Sequence, residues 1–384
     1  MRKVLVINAG SSSVKFAVFT DGVEVISGIA AEIGGDSRLK IGGVTTPMPL
    51  PDHTAAVAAC LGLLAKTGHG VADFIAAGHR VVHGGTEFVA PCRITDPVIA
   101  RIEVCVPLAP LHNPGNLAAI RALATLAPDL PQFASFDTAF HAGQPEVAAR
   151  YAVSAEVVAL GIRRYGFHGI SYASLVQAVA AKGAPPRRLL ALHLGNGASL
   201  CAILDGKSVA TTMGYSPLEG LTMGTRTGGI DGNAVLRLAE VFGIAQAGHI
   251  LNKQSGLLAL GGASDMRELS QAHTPEAAFA RDHFAYWAVR HAGSMIAAMG
   301  GIDALAFTGG IGENDVEIRR KIMAGLEFTG LIVNDAANTD RADKLHDPKS
   351  IVAAWIIPAA EEAQIAAEAM AVLQAEGKHD ATKI

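Results

Sequence analysis

Four side chains of this chain sit in surroundings that favour chemistry over packing. Arg80 lies in the stretch GHRVVHGG and Arg226 in MGTRTGG. An arginine among glycines on a loop has little packing reason to be there, and a guanidinium matches carboxylate and phosphate oxygens. His168 stands in YGFHGIS, and Asp137 closes a short apolar run in SFDTAF. A carboxylate at the carboxyl end of an α/β strand lies where ligands bind in such folds. It would hold Mg²⁺, orient a nucleophile or cap the next helix. Each residue also has an ordinary alternative: a solvated face for the arginines, a satisfied polar group for the histidine, a helix cap for the aspartate.

Glycine-rich turns supply the second signal. The run Val4–Ile7 meets Asn8-Ala9-Gly10-Ser11-Ser12-Ser13, and Val14–Phe19 leaves on the other side, with Lys15 near the turn. Main-chain N–H groups, hydroxyls and one cation at such a turn suit a phosphate. An ordinary serine-rich hairpin is the alternative. Gly195-Asn196-Gly197 follows a second apolar run, and Gly309-Gly310-Ile311-Gly312 leads from a third into a helix. Three such turns suit a nucleotide whose phosphates lie between two domains, with two arginines and a histidine beside the transferring phosphoryl.

Several look-alikes fail on spacing. Gly206-Lys207-Ser208 lacks the first glycine of a Walker loop, because Cys201 stands there. Neither Gly195-Asn196-Gly197 nor Gly310-Ile311-Gly312 has the third glycine of a dinucleotide fingerprint; Leu200 and Asp315 occupy those places. His79 and His83 are four apart but lie in a strand pattern, without the glutamate of a zinc helix.

The elements that position these groups alternate. Strands are expected at Val23–Ile29, Arg38–Ile41, Ile75–Val82 and Gln132–Phe136, with helices at Thr54–Lys66 and Pro114–Leu126. The second half restarts with Leu189–Leu194, a Gly/Ser turn, Leu200–Leu204 and Asp205-Gly206, mirroring the path from Val4 to Asp21-Gly22. Asp303–Thr308 is a further strand, Val316–Leu326 a helix, and Glu361–Glu376 an amphipathic closing helix, with the last few residues frayed. This layout predicts an α/β fold with mixed sheets and an internal repeat.

Composition narrows the class. A chain of 384 residues, half of them hydrophobic, supports two or three domains. Its 31 basic and 35 acidic residues form no basic stripe, which argues against nucleic acid as a partner. The apolar stretches Ala55–Ala65 and Ile351–Ala360 fall short of the ~18 residues that span a bilayer. The start Met1-Arg2-Lys3 is interrupted too soon for a secretory signal. Cys60, Cys92, Cys105 and Cys201 show no metal spacing and suit a cytoplasmic protein.

At this point the chain resembles the acetate/propionate kinase (acetokinase) family of the sugar kinase, Hsp70 and actin superfamily. The matching stretches, in the family's order, are VLVINAGSSSVKF (Val4–Phe16), GHRVVHGG (Gly78–Gly85), PLAPLHNP (Pro107–Pro114), FDTAFH (Phe136–His141) and YGFHGIS (Tyr165–Ser171). They continue with HLGNGAS (His193–Ser199), MGYSPLEGLTMGTR (Met213–Arg226), SDMREL (Ser264–Leu269) and FTGGIGEN (Phe307–Asn314). The resemblance implies two actin-like (ribonuclease H-like) α/β domains related by duplication, with a cleft between them. They would comprise residues 1–139 plus about 364–384, and 140–363. It implies Mg²⁺-dependent transfer (Mn²⁺ as an alternative) of the ATP γ-phosphoryl to acetate, and a homodimer formed through the second domain.

By the same resemblance Arg80 and Arg226 hold the acyl carboxylate and the transferring phosphoryl, and His168 stabilises the transition state. Asp137, Glu361 and Asn8 form the magnesium site. His193, Asn196 and Gly197 contact nucleotide phosphates, with Lys15 at the phosphate end. Asp265, Arg267, Gly310, Ile311 and Asn314 surround the adenosine, and Leu194, Gly195, Met266, Gly309 and Gly312 complete the nucleotide-binding set. Val82, Leu111, Phe167 and Pro217 receive the acyl methyl group. The chemistry agrees: a carboxylate acceptor with a pKa of roughly 4 is already ionised, so positive charge rather than a strong base is needed. Where the family carries GTSH, DTSMG, RSGDIDP and NEE, this chain departs at Tyr172, Ala210, Gly229, Gly232 and Ala360. A propionate or other short-chain acyl kinase is the neighbouring expectation, since one methylene is worth only about 1–3 kcal/mol. A nucleotide-driven regulator with damaged catalysis is the non-enzyme alternative.

Overall fold

The computed structural model describes residues 2–381, which divide into two compact units. The first contains the residues up to Ala142, Gly169–Ser174 and those from Ala360 onward; the second contains Gly143–His168 and Leu175–Ala359. The expected fraying of the last few residues falls on 382–384, outside the described residues.

The first unit is built on an eight-stranded sheet. Its strands are β1 (Lys3–Ala9), β2 (Ser13–Thr20), β3 (Val23–Ala31), β4 (Arg38–Ile41), β5 (Val44–Pro47), β6 (Phe74–Val81), β7 (Cys92–Arg93) and β8 (Gln132–Phe136). The second unit holds a five-stranded sheet of β9 (Arg188–Leu194), β10 (Ala198–Leu204), β11 (Lys207–Thr211), β12 (Ala304–Thr308) and β13 (Ala353–Ile356). The two share one plan. The order β3-β2-β1-β6-β8 in one matches β11-β10-β9-β12-β13 in the other. In each, the first three strands are antiparallel neighbours and the last two run parallel to the first.

The repeat extends to the turns. Asp21-Gly22 joins β2 to β3 with φ of 49° and 85°, and Asp205-Gly206 joins β10 to β11 with φ of 51° and 76°. Two successive positive φ values are what a tight hairpin requires for its twist, and Asp-Gly supplies them at low cost. These mixed sheets flanked by helices form the duplicated actin-like α/β architecture.

Packing explains the strand sequences. Along β1, Leu5 and Ile7 face a core built with the helix His53–Lys66, while Val4 and Val6 face a second core with the helix Glu361–Ala381. A strand covered on both faces needs apolar residues at every position, which is why β1 reads as a run and not an alternation. Phe133 of β8 and Ile365, Ala366 and Ala369 of the closing helix complete the second core.

One expectation changes. Gly309–Gly312 reads as an open turn, but the chain forms a short helix, Gly309–Asn314, straight off β12. Gly309 turns the chain with φ of 79°, where a Cβ would lie 2.8 Å from the Leu194 carbonyl oxygen. The following helix, expected to reach Leu326, ends at Ala324.

His79 lies inside β6, 1 % exposed, and burial lowers its pKa from 6.5 to about 4 against the raising effect of Gln132. The ring is neutral when folded and takes up a proton when unfolded. The unfolded chain therefore binds more protons between pH 6.5 and 4, and stability falls as pH falls through that window. The shift corresponds to about 3 kcal/mol. Urea unfolding of the wild type and of His79→Gln at pH 7 and pH 4.5 checks this; the variant is expected to show the shallower pH dependence.

Candidate active site

Each unit gathers its own polar cluster. In the first, Arg80 near the end of β6 and Asp137 immediately after β8 form a pair on adjacent parallel strands. Arg80 Nε donates to both Asp137 oxygens at 3.2 and 3.1 Å, and Nη2 donates to Oδ2 at 2.6 Å. Arg80 Nη1 reaches Asn8 Oδ1 at 3.3 Å, and Asn8 Nδ2 donates to Glu362 Oε1 at 3.1 Å. Burial opposes the charge on Arg80, but Asp137, Glu361 and Glu362 raise its pKa above the ordinary value. Burial likewise pushes the Asp137 carboxyl up, with Arg80 pulling it down. The carboxylate thus depends on the guanidinium for its charge.

The end of β1 is held from below. Asn116 Nδ2 donates to the Ala9 carbonyl at 2.6 Å, and its Oδ1 accepts from Val82 N at 3.1 Å. One buried amide therefore sets the relative height of β1 and β6, and with it Asn8 and Arg80. Lys15 is the cross-strand partner of Asn8, followed in register by Ile29 and Lys40. Paired residues share a face, so this row runs across one side of the sheet. Its members Lys15, Ile29 and Lys40 line a cavity of about 680 Å³ together with Ser27 and Glu362.

In the second unit, the turn Gly195–Gly197 closes with Gly195 N donating to Gly197 O at 3.1 Å. Its neighbours converge. A Cβ placed on Gly197 would lie 3.3 Å from His168 Nε2 and 3.8 Å from Arg226 Nη1. His168 bonds through Nδ1 to Ser199 Oγ at 2.9 Å and stacks on His193 with ring centroids 4.1 Å apart. Its φ of 59° is left-handed, a strained conformation for a side chain of this kind. Strain of that sort persists where surroundings over-determine it, and it clusters at functional sites. Arg226 Nη1 donates to the Pro217 carbonyl at 2.9 Å.

The Gly309–Asn314 helix adjoins the same turn: a Cβ on Gly195 would lie 3.8 Å from Gly310 N. Asn314 Nδ2 donates to Gly310 O at 3.0 Å, and Ile311 and Gly312 are buried. Asp265 caps the helix Met266–Gln271 and is paired with the exposed Arg267, whose hydrogen bonds hold the Asp265 carboxyl below its usual range. Met266 is buried, as is Leu194. Of the apolar set, Val82 in the first unit and Phe167 in the second are buried, Pro217 is half-buried and Leu111 is exposed.

Three participants escape the sequence reading. Glu362, next to Glu361, is the residue that bonds Asn8. Ser199, inside the quoted HLGNGAS, orients His168. Asn116 carries no signal beyond its place in a helix. Tyr172, one of the departures, is fully buried against Phe140 and His141.

Asp137, Glu361 and Asn8 offer hard oxygen donors and no nitrogen or sulfur ligand, beside the Asn8–Glu362 bond. Among the described residues no group of three or more His, Cys, Asp or Glu could hold a metal. Mg²⁺ is commonly bound by one or two carboxylates plus waters and substrate phosphates, so this donor set fits it.

Comparison with known proteins agrees in one direction. The model of the acetokinase family matches residues 3–367. An acetate kinase of Streptomyces avermitilis is 43 % identical, covering 97 % of each chain. An acetate kinase of Rhodopseudomonas palustris is 42 % identical, over 94 % of this chain and 96 % of its own. A crystal structure of Porphyromonas gingivalis acetate kinase superposes with a TM-score of 0.90 at 37 % identity, covering 97 % of this chain and all of that one. A propionate kinase from Francisella tularensis superposes with a TM-score of 0.93 at 34 % identity and the same coverage.

Proposed function

The chain belongs to the acetokinase family and is an acetate-kinase-like phosphotransferase, and from that premise we propose how its residues perform the reaction. An oxygen of the acetate carboxylate attacks the γ-phosphorus of ATP in line. The bond from that phosphorus to the bridging oxygen breaks, leaving ADP and acetyl phosphate. No proton has to be removed from the acceptor, since a carboxylate is already ionised at neutral pH. The barrier is the approach of one anion to another, and catalysis is positioning plus charge stabilisation.

The observation that carries this reading is the convergence of His168 Nε2 and Arg226 Nη1 above Gly197. An imidazole and a guanidinium beside a glycine-rich turn form a cradle for phosphoryl oxygens. Ser199 orients the imidazole, and the Pro217 carbonyl holds the guanidinium. Arg80 offers a second cation, kept charged by Asp137. Asp137, Glu361 and Asn8 would hold Mg²⁺, which when bound neutralises phosphate charge. Lys15, His193, Asn196 and Gly195 serve the nucleotide phosphates, and the Asp265–Arg267 and Gly309–Asn314 segments the adenosine. For the methyl group, the family resemblance points to Val82 and Leu111 of the first unit and to Phe167 and Pro217 of the second.

The test is acyl phosphate trapping with hydroxylamine, using ATP and Mg²⁺ with acetate, propionate or butyrate. Acetate is expected to give the largest kcat/KM; no hydroxamate from any of the three would overturn the reading. A propionate preference is the second reading, favoured by the likeness to the Francisella tularensis propionate kinase. A higher kcat/KM for propionate than for acetate would establish it.

The second unit also suits a homodimer. The helix Gly232–Phe242 is amphipathic, yet none of its residues is buried; Leu236, Val241 and Phe242 are exposed, as is Ile244 at the start of the next helix, which packs against it. Exposed apolar residues on this helix pair suit an interface, and a second copy is its occupant. Light scattering is expected to return twice the chain mass, falling to one chain mass for Phe242→Asp combined with Leu236→Asp. A wild type of single mass would remove the dimer.

A further inference from the structure

We propose that Thr222 and His283 are positioning residues for Arg226: His283 pins Thr222, and the adjoining Met223 touches Arg226 at both its main chain and its guanidinium. The inference rests on the kinase reading above, and every residue in it belongs to the second unit. Thr222 is 4 % exposed, and its Oγ1 lies 3.1 Å from His283 Nδ1. One turn along the helix Pro275–Met299, Trp287 Nε1 donates to His283 Nε2 at 3.1 Å. An indole nitrogen can only donate, so Nε2 accepts and the proton of the neutral ring sits on Nδ1. Nδ1 therefore donates to Thr222 Oγ1. Burial disfavours the charged imidazole and lowers its pKa, which favours this neutral form.

Met223 carries the restraint to Arg226. Its N–H donates to the Arg226 carbonyl at 3.2 Å, and its Sδ accepts from Arg226 Nη1 at 3.7 Å. That Nη1 is the atom directed above Gly197. Packing behind the loop is loose. A cavity of about 240 Å³ is lined from the loop by Thr222 and Thr227 and from the helix by His283 and Trp287. The Thr222–His283 bond borders this hollow and supplies a fixed distance where close packing does not. The Met223 carbonyl is separately held by Leu257 N at 2.8 Å. Losing the Thr222 bond should therefore disturb an orientation and leave the loop folded.

Steady-state kinetics on Thr222→Val, Thr222→Ser and His283→Phe test this, with Thr222→Val repeated in an Arg226→Ala background. Thr222→Val keeps the shape and loses the acceptor. Its kcat is expected to fall about tenfold, with the KM for ATP within about twofold, as a small misplacement of a group acting in the transition state would give. His283→Phe removes the donor and is expected to show the same split. Thr222→Ser keeps the hydroxyl and is expected to stay within about twofold of the wild type. In the Arg226→Ala background, Thr222→Val is expected to cost less than about twofold more, because residues that act through one another are not additive. A merely structural role would lower the melting temperature and leave the two substitutions independent.

Full kcat in Thr222→Val or His283→Phe overturns the positioning role while leaving the kinase reading intact. So does a Thr222→Ser variant as slow as Thr222→Val, or an equal loss from Thr222→Val with and without Arg226. A wild type that forms no acyl phosphate overturns the kinase reading, and this inference with it.

Discussion

Replacing Arg226 by alanine is expected to lower kcat by about a thousandfold or more, the scale on which one arginine at a transferring phosphoryl acts. The KM for ATP is expected to change by less than about threefold, because the guanidinium is asked to work mainly in the transition state. The loop itself should persist without the side chain. Met223 N donates to the Arg226 carbonyl at 3.2 Å, Thr227 N to the Leu251 carbonyl at 3.1 Å, and Gly256 packs against both Met223 and Arg226 main chain. Steady-state kinetics with ATP and acetate varied independently give the split. Full turnover in the variant would show that the convergence above Gly197 is not where charge develops.

The second large effect is expected at Arg80, and it has two components. Arg80→Met should lose activity on a similar scale, and unlike Arg226→Ala it should also lose stability. The Asp137 side chain is 2 % exposed and that of Arg80 is 22 % exposed. Removing the cation leaves a buried carboxylate alone, which typically costs about 3–5 kcal/mol. Asp137 would then be held protonated in the folded state. A folded carboxyl that binds a proton more tightly than the unfolded chain loses stability as pH rises above the unfolded value, roughly 4. The stability gap between wild type and Arg80→Met should therefore widen from pH 4 to pH 7. Denaturant titrations at both pH values measure it. The double variant Arg80→Met/Asp137→Leu should recover most of the stability and none of the activity, and a double variant as unstable as the single one would refute the account of the pair.

These expectations draw on features of unequal visibility in the sequence. The central strands were plain because they are runs of apolar residues ending at glycine or polar turns, whereas β5, β7, β11 and β13, short and at the sheet edges, were not expected. Asp21-Gly22 and Asp205-Gly206 fixed two hairpins and suggested the repeat, which proved to extend over the order and direction of five strands in each sheet. Arg80, His168 and Arg226 stood out by their glycine-rich surroundings and Asp137 by its place at the end of an apolar strand, although each also had an ordinary alternative. The structure brings Arg80 to Asp137 and Arg226 to His168.

What stayed hidden depends on distant neighbours. Gly309-Gly310-Ile311-Gly312 has poor helix propensity, yet it winds into a helix whose first N–H, that of Gly309, is accepted by Glu313. Asn116 looks like any polar residue of its helix, and only the folded positions of Ala9 and Val82 show why an amide is needed there. Glu362 is one of two adjacent glutamates, and no periodicity decides which of them meets Asn8.

The closing helix has a consequence for synthesis. It covers Val4, Val6 and Phe133, yet it begins only at Glu361, more than two hundred residues after β8. At a translation rate of about 5–20 residues per second, that apolar sheet face waits on the ribosome for roughly ten seconds to a minute before its cover emerges. The nascent first unit is then a natural client for holdase chaperones, and a premature stop anywhere before Ala360 would release it uncovered.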